Sequence, residues 1–176
     1  RRPPISRTEE GKLYELYWEC PRAGYPDTKA MLRSEFGGLC AYCGEPLGEA
    51  FEEDHVLPRA RFPMEGYLVR VPVCVQCNRR KGTQSLLSLG PGIHPEALAA
   101  FSAYVAKRKA AKSGAIHPIL EVKKGLLQNL TRETLQERVA RYGGDIQRAE
   151  RSLREMAGAW MLRTTATARH GRFLQK

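Results

Sequence analysis

Apolar positions fall in short, interrupted groups along the first half of the chain and in long helical stripes along the second. Leu13, Leu16 and Tyr17 share one face of a helix that Ser6 or Thr8 can cap and that ends before Pro21. Asp27 reads as the N-cap of a second helix, with Met31, Leu32 and Phe36 on one face and Gly37-Gly38 stopping it. Between 38 and 85 the pattern shortens: Gly44-Glu45-Pro46, Gly48, Pro58, Pro63 and Gly66 cut the chain into pieces too short for long helices. Strands are predicted from Phe51 to Val56 and from Leu68 to Val73. In the second, Leu68, Arg70 and Pro72 alternate with Val69, Val71 and Val73, and Pro72 argues for an edge or terminal position. Val75 to Lys81 starts a short helix that Gly82 ends.

Beyond Gly90-Pro91-Gly92 the period becomes helical. Pro95 to Lys112 carries Leu98, Phe101, Tyr104 and Val105 as its apolar stripe. Two further helices are predicted, 119–142 with a break near Asn129–Thr131, and 145–163 capped by Asp145 behind Gly143-Gly144. The last dozen residues, with Arg169, His170 and Arg172, show no periodicity. Trp18 and Trp160 read as core aromatics, and His94 and His117, each before a Pro, as turn or capping residues.

Composition changes this picture little. With 176 residues, 42% hydrophobic and 27% charged, a packed core is feasible and wholesale disorder is excluded. No apolar run approaches the ~18–20 residues of a membrane span, and no secretory leader is visible, so the expected location is the cytoplasm. The opening Arg1-Arg2-Pro3-Pro4, without Met, suggests a piece of a longer polypeptide. Charge says more. The net charge of +10 favours a polyanionic partner, usually nucleic acid. Residues 1–93 hold 13 basic and 12 acidic side chains (+1), whereas residues 94–176 hold 16 and 7 (+9).

Four of the five cysteines form two identical spacings, Cys40-Ala-Tyr-Cys43 and Cys74-Val-Gln-Cys77. A disulfide framework suits a short secreted chain with an even count, and a thioredoxin-like redox pair would explain only one spacing. Two such pairs are the usual way to build a tetrahedral zinc site, each turn presenting two thiolates to one ion. The 30 residues between them exceed the span of a simple ribbon, so a structural unit is inserted between the knuckles. Cys20, outside both pairs, reads as a small buried apolar residue.

The inserted unit contains Glu52-Glu53-Asp54-His55, and the second pair runs directly into Asn78-Arg79-Arg80-Lys81-Gly82. Neighbours on a regular strand face opposite sides, so Asp54 and His55 serve one site only where the strand ends or distorts. Asp and Asn oxygens suit Mg²⁺ or Mn²⁺, while thiolates suit zinc. Phosphodiester hydrolysis needs an activated water, a Lewis acid and positive charge near the phosphate. Neutral His55 can take the proton, an ion on Asp54 and Asn78 can clamp the phosphate, and Arg79, Arg80 and Lys81 can hold its neighbours. Taken singly, His55 reads equally as a satisfied imidazole and Asp54 as a turn cap; the double knuckle and the basic run favour the site.

The combined pattern, Cys-Ala-Tyr-Cys-Gly, then Asp54-His55-Val-Leu-Pro58, then Cys-Val-Gln-Cys-Asn-Arg-Arg-Lys-Gly, resembles the HNH endonuclease family over about residues 36–86. The resemblance implies an α+β fold: a small ββα-metal core with a four-cysteine zinc site, flanked by N-terminal helices and a C-terminal helical extension. Its divisions would be 1–36, 37–86 and 94–176. It implies His55 as general base, Asp54 and Asn78 as ligands of a catalytic Mg²⁺ or Mn²⁺, structural Zn²⁺ on Cys40, Cys43, Cys74 and Cys77, and cleavage of DNA to 5′-phosphate and 3′-hydroxyl ends. One position departs. The family sets an Asn about nine residues before the last one, bracing the loop that aims the catalytic His, and Val69 stands there. The alternatives are a nucleic-acid-binding zinc module with a weakened centre, an RNA-directed nuclease, or the HNH module of a restriction, phage or CRISPR-type effector with other subunits or a guide RNA.

In the C-terminal half, Arg141, Arg148 and Arg151 stand near helical spacing among Arg132, Arg138, Arg154 and Arg163. They read either as a solvated face laced with Glu133, Glu137, Glu150 and Glu155 or as a surface that tracks duplex phosphates.

Overall fold

The computed structural model describes residues 25–58, 62, 67–84, 86–89, 92–110 and 117–173. The expected first helix, with Cys20 and Trp18, lies outside the described residues, as do the side chains of His117, Trp160, Arg163 and His170. The architecture is mixed: one two-stranded sheet surrounded by helices.

Helix α1, Thr28–Glu35, forms where the cap and stripe predict it. The Asp27 carboxylate accepts the Ala30 N–H at 2.7 Å, and Gly37 and Gly38, at φ 61° and 74°, turn the chain out of the helix. Met31, Leu32 and Phe36 are fully buried. The first cysteine turn follows, closed by Gly44 N–H to Cys40 C=O at 2.9 Å and by a Leu39–Pro46 bridge. Gly44 has φ 73°, and a Cβ there would stand 2.4 Å from His94 Nδ1, so only glycine fits against that ring.

Strands β1 (Phe51–His55) and β2 (Arg70–Cys74) pair antiparallel, from Phe51 opposite Cys74 to His55 opposite Arg70. The second strand begins two residues later than the hydrophobic alternation predicts. Tyr67–Val69 form a 3-10 turn instead, and the Val69 carbonyl accepts the Val56 N–H at 2.8 Å. Alternation also fails as a guide to burial, because Val69, Val71, Pro72 and Val73 are all buried. Helix α1 packs on β2, and the next helix packs on both strands, so β2 is covered on both faces. Pro72 sits within the ladder, opposite Glu53. Its carbonyl accepts the Ala41 N–H, away from β1, so the N–H it lacks would also face away from the partner strand.

Helix α2, Val75–Lys81, leaves β2 without a loop and ends at Gly82, φ 53°. After it come α3 (Leu86–Leu89), α4 (Pro95–Ala110) and α5 (His117–Gln128). The predicted helix over 119–142 is divided at the expected break, with Thr131 capping α6 (Arg132–Arg141) by accepting the Thr134 N–H. Asp145 caps α7, whose backbone is helical over Ile146–Phe173, ten residues past the expected end. Residues 164–173 lack an apolar stripe, but Ala and Arg favour helix and no Pro interrupts it. Buried side chains from Met31 to Ala157 form one cluster, in which the Phe36 and Phe101 rings stand 5.0 Å apart.

Candidate functional site

The two cysteine turns meet at the end of the hairpin. Cys40 and Cys43 lie on the turn after α1, Cys74 ends β2 and Cys77 lies one turn into α2. Their four Sγ atoms are all within 4.8 Å of one another, and Cys43 and Cys74 stand 4.0 Å apart. A zinc tetrahedron with bonds of about 2.3 Å needs sulfurs about 3.8 Å apart, so the cluster can hold a metal ion such as zinc. Backbone amides already address the sulfurs: Cys74 N–H donates to Cys40 Sγ at 3.3 Å, and Cys77 N–H to Cys74 Sγ at 3.5 Å. Burial pushes the Cys77 thiol far above its ordinary range, reinforced by its cysteine neighbours. Burial also raises Cys74, but hydrogen bonds from Cys77 and the other cysteines outweigh it and lower the group.

Strand β1 ends at His55, and the chain bends at Val56 and Leu57. His55, opposite Arg70, is the last residue of the regular ladder, and its Nε2 is buried. The face of β1 turned toward α2 carries Glu52 and Asp54, two residues apart, and α2 answers with Asn78 and Lys81, three apart. Asn78 gives its amide N–H to Glu52 Oε2.

Asp54 receives two donors on one oxygen. Tyr42 O–H donates to Oδ2, and Lys81 Nζ lies 2.9 Å from the same atom. Burial, then the Asp54 charge, pushes the Tyr42 phenol well above its usual value, so it stays protonated and donates. Lys81 also donates to the His55 backbone carbonyl at 2.9 Å. The phosphate-holding position expected for Lys81 is therefore not where it stands: it is 3% exposed and faces inward, whereas Arg79 and Arg80 beside it are exposed. Helical geometry accounts for this, since residue 81 lies on the sheet-facing side with 78 while 79 and 80 turn outward.

The loop after His55, with Val69 where the HNH resemblance would set an Asn, is held by backbone. Val69 is buried, and it is its carbonyl that takes the Val56 N–H. The sequence motif does not mark Tyr42 or Glu52 as site residues. Strand alternation puts Glu52 with Asp54, but nothing local signals that Tyr42 reaches across 12 residues.

On the C-terminal helices Arg141, Arg148 and Arg151 are exposed, and the Arg148 guanidinium lies 5.7 Å from the Tyr142 ring centre. Arg138 differs. It is half-buried and donates to Ser152 Oγ at 2.6 Å, and burial, then the Arg141 charge, lowers its pKa. His94 Nδ1 accepts the Glu96 N–H, the capping role read for it. Among the described residues no helix is long and apolar enough to cross a membrane. No protein-family model and no curated protein matches the chain, so the HNH resemblance rests on the motif residues.

Proposed function

We propose that the chain is a metal-dependent endonuclease of HNH type acting on double-stranded DNA. What supports this reading most is the order hairpin, cysteine pair, helix: Asp54 and Asn78 are carried on facing elements, β1 and α2, at the strand end where His55 stands. Structural zinc on Cys40, Cys43, Cys74 and Cys77 fixes where α2 begins, and so where Asn78 lies. Asp54 and Asn78 offer hard oxygen donors of the kind that suit Mg²⁺ or Mn²⁺, and such an ion would supply Lewis acidity at the phosphate. His55 removes the proton from the attacking water. Arg79 and Arg80 hold the flanking phosphates.

Plasmid nicking with Mg²⁺ or Mn²⁺ tests this directly. Wild type should nick, and His55→Ala should lose at least about a hundredfold in rate, the usual contribution of a general base. If both proteins bind DNA and neither cuts it with any divalent ion, the enzymatic reading is lost. A second reading, a nucleic-acid-binding zinc module without cleavage, draws on the Lys81 ammonium that already neutralises Asp54.

The exposed arginines supply affinity on either reading. Replacing Arg141, Arg148 and Arg151 together with Glu should weaken DNA binding across all sequences and flatten its salt dependence. Each lost phosphate contact removes about 0.9 from the log–log slope. Binding within about twofold of wild type, in a folded protein, would leave these residues as a solvated face.

A further inference from the structure

Asp54 is gripped from both cysteine knuckles at once. Tyr42 lies between Cys40 and Cys43 of the first, and Lys81 lies four residues past Cys77 of the second. The phenol and the ammonium meet on Asp54 Oδ2, and the same ammonium reaches the His55 carbonyl. Both side chains are inside the molecule, Tyr42 at 4% and Lys81 at 3% exposure. A lysine stem is costly to order and its charge costly to bury, so a buried ammonium at this position needs the acceptors it has found.

We infer that Tyr42 and Lys81 are positioning residues of the nuclease centre. One from each knuckle, they fix the Asp54 carboxylate and the His55 backbone, and Lys81 supplies the positive charge at Asp54 with which a divalent ion must compete. This rests on the nuclease reading. It also accounts for Val69. Where the family's brace is a side chain of the loop before the second strand, here the His55 backbone is held from α2 by Lys81, and the Val69 carbonyl closes the loop. Because the donors sit on Oδ2, Oδ1 is the oxygen left uncommitted among the described residues. A cation approaching Oδ1 meets the field of the ammonium, so affinity for the ion is held down while the geometry is held firm.

The two functions separate in opposite directions, which a purely structural role would not do. Lys81→Met in zinc-loaded protein should bind Mn²⁺ alone about tenfold more tightly, read by electron paramagnetic resonance of the free ion, because a like charge has been removed. The same variant should lower kcat for nicking about tenfold or more at saturating Mn²⁺, with DNA binding unchanged, because His55 and Asp54 lose their hold. Tyr42→Phe removes one hydroxyl and no charge. It should lower kcat several-fold and change Mn²⁺ affinity by less than Lys81→Met does. Zinc content and a cooperative melt establish that each variant is folded; should Lys81→Met fail to fold, Tyr42→Phe carries the kinetic test. Wild-type kcat and unchanged Mn²⁺ affinity in both variants would overturn the inference. A wild type that never cuts would instead defeat the nuclease reading, and the Mn²⁺ measurement would still decide whether Lys81 opposes an ion at Asp54.

Discussion

Stripping the metal from the four cysteines should unfold the hairpin and its two knuckles, and Cys74→Ser should do the same. A two-stranded hairpin is marginal in water by itself, and among the described residues β1 pairs only with β2. Cys74 is the joint: it ends β2, caps α2 through Sγ, and its N–H addresses Cys40 from the other knuckle. Structural zinc in comparable small modules contributes about 10–16 kcal/mol of apparent folding energy, against about 5–15 kcal/mol for the net stability of a whole domain. The C-terminal helices contribute Leu120, Leu126 and Leu153 to the shared cluster from outside the hairpin and its knuckles. Chelation should therefore leave much of the far-ultraviolet helical signal while amide protection over 51–55 and 70–81 disappears. Zinc analysis should find about one ion per chain in wild type and none held tightly in Cys74→Ser. A metal-free protein that melts cooperatively at the wild-type temperature would refute this.

The local signals in the sequence were strong because their causes are local. A doubled Cys-x-x-Cys brings its own turn geometry, Asp27 and Asp145 accept amides three residues away, and Gly82 ends a helix by its own backbone freedom. The start of β2 was less legible, because a run of Leu68-Val69-Arg70-Val71 has the same alternation whether its first members extend the strand or turn before it. What decides is the Val56–Val69 hydrogen bond across the hairpin, which no single segment encodes. The candidate site divides in the same way. Asp54, His55 and Asn78 are visible as a motif, but the direction of Lys81 depends on how α2 lies on β1. Read from its neighbours, Lys81 belongs to a basic run; in space it faces Asp54, and only Arg79 and Arg80 reach solvent. Lys123 is the clearest case. It stands at a core position of α5, in register with Leu120, Leu126 and Leu127, and its partners come from the residue that ends α1, the 3-10 turn, β2 and α4.

Replacing Lys123 should be the most damaging single change outside the cysteines. Its ammonium is fully buried, donates to the Arg70 carbonyl at 2.7 Å and lies 3.9 Å from the Tyr67 ring centre, with Phe36 and Phe101 beyond. A buried carboxylate meets the same tyrosine: the Tyr67 hydroxyl donates to both oxygens of Glu35, each at 2.8 Å, and Glu35 is also fully buried. Lys123→Met keeps the length of the stem but removes the charge that balances Glu35 and the donor to Arg70. Breaking a buried pair by removing one partner costs about 3–5 kcal/mol, which in a chain of this size lowers the melting midpoint by on the order of 10 °C. Glu35→Gln should recover part of that loss when combined with Lys123→Met, because the double variant buries no uncompensated charge. The coupling should fall within the roughly 0.5–3 kcal/mol seen for residues of one network. Strictly additive losses would mean that Glu35 and Lys123 stabilise the protein independently, through Tyr67 and Arg70 alone. A positive coupling would make this pair the tie that holds α5 against the hairpin, since Arg70 stands opposite His55 at the last step of the ladder.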